Sequence, residues 1–323
     1  MMSQTLTPGR WRGLKTTSTR KNVFSILAFD QRGTFRRMLP PETSYEAAVS
    51  MKRDIVHALS FHASAVLLDN QYGLQSVLDM SGSSGVLMSY EESGYSGDAT
   101  YRRIKFDPNW TVGKIKSMGA SAVKVLAYYH PGTGALAEEI EGVLKDVADE
   151  CHRHDLPLFL EPLCYSLDPN VSKESEAFSK LRPDLVIETA ERLSKTGTDV
   201  LKMESPVDPN FDGDRNRWSE TFKALSRAST VPWVLLSAGV DFETFEEQAQ
   251  LACEAGASGW LAGRAIWKEA VTMTDAERKA FLEAAAADRM QRLNAVSDQY
   301  ARPWTDFYQP PANSISWFTE YNL

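Results

Sequence analysis

Three charged residues stand in short segments that otherwise read as buried strands: Lys124 in SAVKVLAYY, Glu161 in PLFLEP and Lys202 in DVLKMES. An ammonium group taken out of water is costly unless it is paired. One reading is structural, a salt-bridge layer in which Glu161 neutralises both lysines. The other is chemical. A neighbouring cation and an apolar wall depress the pKa of Lys202, leaving part of it as a free amine that can attack a carbonyl. The imine that results is an electron sink, so a C–C bond beside the former carbonyl can break with the carbanion held as an enamine. Such a reaction also needs a group that takes a proton from the departing hydroxyl and one that returns a proton to the enamine. Glu161, one segment before Lys202, fits at least one of these steps.

Two later segments end in residues suited to a phosphate. LLSAGV closes with Ser237-Ala238-Gly239, and GWLAGR closes with Gly263-Arg264, offering backbone N–H groups and a guanidinium. Arg32, which follows Asp30 and Gln31 at the end of ILAFDQRG, is either a second anion contact or the partner of Asp30 in a surface salt bridge.

These residues need elements to position them. Short apolar runs recur at 23–29, 65–68, 86–89, 122–127, 158–160, 200–203, 233–236 and 259–261. Most are separated by stretches such as 137–155 and 243–257, whose apolar residues recur at three- and four-residue steps. Continuous apolar strands alternating with helices predict a parallel sheet covered on both faces. Eight such units without a linker predict an α/β fold, a single (β/α)8 TIM barrel, over residues 22–270. No G-x-G-x-x-G follows the first strand, which weakens the dinucleotide-binding alternative. Residues 1–21 read as a flexible lead-in. Residues 271–323 read as a helix (275–301) and an aromatic tail (302–323) packing on the barrel or on a neighbouring subunit. In such a barrel the C-terminal ends of the strands carry the chemistry; the polar residues named so far fall late in their strands or just after them, except Lys124, which interrupts the fourth.

Composition narrows the remaining classes. With 43% hydrophobic residues the 323-residue chain can build one large core, and a net charge of −8 with pI near 5.3 argues against nucleic acid or an anionic membrane as partner. There is no apolar run of transmembrane length and no apolar core to a leader sequence. Three widely spaced cysteines, Cys151, Cys164 and Cys253, suit a reducing cytoplasm. No metal or other cofactor is expected: His152 and His154 fall at the foot of the helix before the fifth strand, and His57 and His62 near the helix before the second, all on the wrong side of a barrel for a catalytic metal. No histidine is placed to activate Cys164. Tyr321 is a tempting proton shuttle, but packing of the tail is the simpler reading.

The segments 25-SILAFDQRGTFRRML-39, 64-SAVLLDNQYG-73, 121-SAVKVLAYYH-130, 158-LFLEPLCY-165, 199-DVLKMESPV-207, 235-LLSAGV-240 and 256-GASGWLAGRAIW-267 together resemble the bacterial tagatose 1,6-bisphosphate aldolase family, from about residue 22 to about 270. The resemblance implies retro-aldol cleavage of a ketose phosphate to dihydroxyacetone phosphate and an aldehyde without a metal. It makes Lys202 the Schiff-base lysine, Glu161 the acid/base, Lys124 the neighbouring lysine, and Asp30, Gln31 and Arg32 substrate contacts. Ser237, Gly239, Gly263 and Arg264 take the phosphate positions. The substrate divides the pattern. FDQRG, SYEESGY (89–95) and VLAYY look like the tagatose enzymes. Asn70-Gln71, Glu161-Pro162 and GASGWLAGRAIW look closer to relatives that cleave 6-deoxy-6-sulfofructose 1-phosphate, which places Gln71 near the distal end of the substrate. From a different class, a non-catalytic barrel that senses sugar phosphates would need the same pocket but not the amine of Lys202. A homo-oligomer is compatible with the sequence.

Overall fold

The computed structural model describes residues 4–92 and 99–321; the last part of the SYEESGY stretch, residues 93–95, lies outside them. Eight parallel strands close on themselves: β1 (Phe24–Phe29), β2 (Ala65–Leu68), β3 (Gly85–Ser89), β4 (Ala122–Tyr128), β5 (Leu158–Leu163), β6 (Val200–Met203), β7 (Trp233–Leu236) and β8 (Gly259–Ala262). Each pairs with its sequence neighbour, and the last pairs with the first through Phe24↔Gly259 to Leu27↔Ala262. The predicted strands all form, to within three residues at their ends, because each carries apolar side chains on both faces and only a sheet covered outside and filled inside can bury both.

The outer layer includes the helices Tyr45–Ser60, Ala135–Arg153, Glu176–Leu193, Arg215–Ala228 and Phe242–Glu254. Their starts follow local chemistry. Ser44, Ser175, Asp214 and Asp241 each accept a hydrogen bond from a backbone N–H in the first turn of the helix that follows, satisfying donors that the helix itself leaves unpaired. The helix expected at 275–301 runs from Asp275 to Tyr300 with a π-helical turn over Leu282–Ala286.

The N-terminal segment departs from expectation. In place of a flexible lead-in, Pro8–Thr17 forms a helix across the foot of the barrel, with Leu6 and Leu14 buried. Its approach is close enough that a Cβ on Gly13 would lie 2.5 Å from the Ser121 carbonyl oxygen, so glycine is required there. The tail closes the same end. Trp304 is fully buried, donates its indole N–H to Ser18 Oγ at 2.9 Å and meets Trp11 edge-on at 4.7 Å, while Gln4–Thr5 pairs with Tyr308–Gln309. Farther along, Ile315, Trp317 and Phe318 are exposed.

Trp304 is therefore the plug of the N-terminal face. Trp304→Ala is expected to lose about 3–5 kcal/mol of unfolding free energy, read from urea denaturation. Any activity carried by the polar residues at the strand C-termini, on the opposite face, is expected to stay near wild type when measured well below the transition.

Candidate active site

Strand geometry explains why the charged residues meet. Side chains alternate across a strand with a period of two. Phe24, Ile26 and Ala28 on β1, Ala122 on β4, Phe159 on β5, Val200 on β6, Val234 on β7 and Leu261 on β8 belong to the apolar cluster inside the barrel. Leu27, Phe29, Val123, Leu160, Leu201 and Met203 belong to the cluster beneath the helices. Asp30, Lys124, Glu161 and Lys202 all have inward parity. A second apolar layer, Leu126, Leu163 and Leu236, lies above them at the mouth.

Between the layers the charges form one network. Glu161 Oε2 accepts from Lys202 Nζ at 2.8 Å and lies 2.9 Å from Lys124 Nζ. Lys124 also donates to Asp30 Oδ2 at 2.7 Å and to Glu91 Oε1 at 3.1 Å. Burial alone would depress the Lys124 ammonium, but the carboxylates of Asp30, Glu161 and Glu91 outweigh it and hold the group above the usual lysine range. Burial would likewise raise the carboxyls of Asp30 and Glu161, yet Lys124 and Lys202 outweigh it and hold both below the usual carboxylate range. In the resting site Lys124 is thus held as a cation and Glu161 as a carboxylate.

A cavity of about 450 Å³ opens at the strand C-termini, lined by Lys202, Glu161, Gln31, Ser237, Gly239, Gly263 and Arg264. Asp30 and Lys124 lie beneath it. The turn after β7 places Ala238 and Gly239 at positive φ (47° and 87°), a tight conformation of the kind that gathers backbone N–H groups. A Cβ at Gly239 would stand 3.1 Å from Arg264 Cζ, so glycine lets the guanidinium lie against the turn. The long helix that follows has its N-terminus capped by the Asp241 carboxylate. An anion is therefore better served by the turn, Gly263 and Arg264.

Other residues go elsewhere. Arg32 does not bridge to Asp30 at the surface. Its buried guanidinium donates to the Glu91 carbonyl at 3.0 Å and to the carbonyl of Glu92, and approaches Glu91 Oε1 at 3.5 Å, fastening the loop after β3. Gln71 is exposed and outside the cavity lining, its carbonyl accepting from Tyr45. Tyr321 donates its hydroxyl to Asp155 on the N-terminal face, remote from Lys202. His152 reaches Asp199 at 3.0 Å on that face too. Burial pushes the Cys164 thiol up to about 12, which suits a bystander.

Sequence reasoning missed Glu91, the third carboxylate on Lys124. It lies beyond β3, where no strand parity marks it. Glu204 was visible at the end of β6 without a role; it accepts from Cys164 N–H at 2.7 Å and from Lys173 Nζ at 2.6 Å, tying the β5 and β6 loops together.

Fold and site together define a (β/α)8 barrel with a cavity lined by charged residues at the strand C-termini. Residues 24–269 match the model of the DeoC/LacD family of aldolases, and the chain belongs to that family. It is 32% identical to the tagatose 1,6-diphosphate aldolase of Lactococcus lactis over 93% of this chain and 99% of that one, and 32% identical to tagatose 1,6-diphosphate aldolase 2 of Streptococcus pyogenes over 94% and 99%. Among solved structures, a Schiff-base-forming fructose-1,6-bisphosphate aldolase shares the fold with a TM-score of 0.57 at 20% identity, covering 89% of this chain and 98% of that one. The protein is thus an aldolase, a carbon–carbon lyase.

The network predicts a change of sign in the pH dependence of stability. In the wild type the lowered carboxyls of Asp30 and Glu161 contribute stability that is present above their unfolded values, about 4, and is lost as pH falls through the folded ones. Lys124→Met leaves Asp30 buried without that ammonium, so desolvation raises its folded value above the unfolded one, while Glu161 keeps Lys202 as its partner. The contribution then erodes as pH rises, at a cost of about 3–5 kcal/mol near neutrality. Calorimetry should find this variant more stable at about pH 5 than at about pH 8. Equal stability at both would show that the pairing carries no such load.

Proposed function

We propose that this protein is a class I aldolase that cleaves a ketose 1-phosphate of the tagatose 1,6-bisphosphate type to dihydroxyacetone phosphate and glyceraldehyde 3-phosphate. The observation that carries the reading is the 2.8 Å contact between the Lys202 amine and the Glu161 carboxylate on the wall of the cavity, with Lys124 below it out of reach of a ligand. Of the two lysines, only Lys202 lines the cavity, and Lys124 keeps its proton against three carboxylates. The relatives named as tagatose 1,6-diphosphate aldolases over nearly their full length support the substrate class.

In this mechanism the 1-phosphate rests on Ser237, Gly239, Gly263 and Arg264, and C2 faces Lys202. The neutral amine attacks C2, and the carbinolamine loses water to give an iminium. A base removes the proton of the C4 hydroxyl, the C3–C4 bond breaks, and its electron pair moves into the enamine as the aldehyde leaves. Protonation at C3 and addition of water then release dihydroxyacetone phosphate and restore Lys202. Glu161 is the proton carrier, since it touches Lys202 and is held ionised between two cations.

The rival substrate, 6-deoxy-6-sulfofructose 1-phosphate, leaned on Asn70-Gln71, Glu161-Pro162 and GASGWLAGRAIW. Asn70 and Gln71 lie outside the cavity lining, which removes the first of these, and the tagatose-named relatives favour the tagatose-type substrate. Cleavage rates for tagatose 1,6-bisphosphate, fructose 1,6-bisphosphate and sulfofructose 1-phosphate rank the candidates directly, and a fastest rate on the sulfonate would reverse this choice.

Borohydride added with dihydroxyacetone phosphate is expected to fix the triose irreversibly on Lys202, and Lys202→Met is expected to abolish both adduct and cleavage. A folded protein that binds the ligand without an adduct would instead be a sensor. Glu161→Gln is expected to retain trapping while turnover falls by about 100- to 10,000-fold; unchanged turnover would remove Glu161 from the mechanism.

A further inference from the structure

Lys52 is the one other lysine with a fully buried side chain among the described ion pairs, and it is not part of the cavity. It projects from the outer helix Tyr45–Ser60 into the seam between β1 and β2. Its ammonium donates to the carbonyl oxygen of Phe29 at 2.9 Å, to that of Gln31 at 3.1 Å and to the Asp69 carboxylate. The rings of Phe29, Phe35 and Tyr72 surround it, with centroids 4.4, 5.2 and 5.6 Å away. The other Asp69 oxygen accepts the N–H groups of Gln71 and Tyr72, both at 2.8 Å, so Asp69 is itself tied to the loop after β2.

The two carbonyls that Lys52 grips flank Asp30. The ladder of β1 ends at Phe29↔Leu68, so beyond that point no neighbouring strand fixes the chain. One ion pair and the placement of two acceptors depend on its course. Asp30 Oδ2 holds Lys124 at 2.7 Å. Asp30 Oδ1 and Gln31 Oε1 are buried without a hydrogen-bond partner among the described residues, and Gln31 lines the cavity beside Lys202. A buried acceptor without a partner is costly, and a turn carrying two of them needs an external hold.

We propose that Lys52 is a positioning residue for the aldol reaction: by gripping the carbonyls on either side of Asp30 it sets the turn that places Asp30 on Lys124 and aims Gln31 into the cavity beside Lys202. The inference rests on the Schiff-base reading of Lys202. It assigns Lys52 no contact with substrate. It acts through Asp30, Lys124 and Gln31, and misplacement of such groups by about 1 Å lowers turnover by up to about 100-fold.

The test counts competent sites before measuring rate. In wild type, Lys52→Met and Asp69→Asn, borohydride trapping of dihydroxyacetone phosphate titrates the sites that form the Schiff base, and kcat for tagatose 1,6-bisphosphate is divided by that number. Positioning predicts that kcat per trapped site falls about 10- to 100-fold in Lys52→Met, and less but in the same direction in Asp69→Asn, which keeps the ammonium and removes its anion. A residue that only supports the fold would lower the melting temperature and the number of trappable sites while leaving kcat per trapped site unchanged. A value within about twofold of wild type in Lys52→Met, or in Asp69→Asn should Lys52→Met not fold, overturns the inference alone. Absence of trapping at Lys202 in the wild type overturns the reading beneath it and this inference with it.

Discussion

One oxygen organises the interior of this barrel. Glu161 Oε2 lies 2.8 Å from one ammonium and 2.9 Å from another, in a layer whose side chains are almost wholly removed from water. Ions in such surroundings are tolerated only when their remaining hydrogen-bonding capacity is met and their charges nearly cancel. Around Lys124 both conditions are satisfied by distributing partners: Asp30 and Glu91 complete it beside Glu161, and Arg32 fastens the backbone on which Glu91 sits. The apolar layers serve the same end, with Phe24, Phe159 and Val200 below and Leu126, Leu163 and Leu236 above. Water is kept from the buried pair, while the cavity still reaches Lys202 and Glu161.

Unequal pairing separates two lysines that look alike in the sequence. Lys124 faces three carboxylates and stays charged; Lys202 shares one of them and meets the cavity. A strongly paired lysine is a poor nucleophile because its lone pair is committed to a proton, but it is a dependable source of positive potential. In the proposed mechanism the Lys202 amine becomes a carbinolamine and then an iminium, while Lys124 keeps its place beside Glu161.

Much of this was legible because a strand encodes orientation in parity. Once β4, β5 and β6 were recognised, Lys124, Glu161 and Lys202 were bound to point inward, since they alternate with residues that the outer helices cover. Loops carry no such code. Arg32 was assigned to an anion or to Asp30, when it holds main-chain carbonyls after β3, and Glu91 escaped notice for the same reason. Gln71 follows β2 by three residues, far enough for the chain to turn it outward. The N-terminal helix was hidden differently. Its sequence, PGRWRGLKTT, is polar and carries two glycines, which read as disorder but serve a close approach to the barrel foot. Lys52 had the spacing of an ordinary helix residue, and only its burial against three acceptors distinguishes it.

The two faces of the barrel divide the labour by how completely their charges are paired. On the N-terminal face Asp199 accepts from Arg10 Nε at 3.1 Å, from the Leu158 N–H at 2.8 Å and meets His152 at 3.0 Å, while Asp155 takes the hydroxyls of Thr7 and Tyr321 and the N–H of Gly9. Those carboxylates are saturated by the terminal segments that fold over them, so they fix the ends of the chain. At the mouth, Asp30 Oδ1 and Gln31 Oε1 stay buried with no partner among the described residues, a condition stabilising elements would remove if the fold alone were at stake. The unpaired acceptors and the 2.8 Å amine–carboxylate contact occupy the same end of the same barrel, above a foot that supplies the stability they forgo.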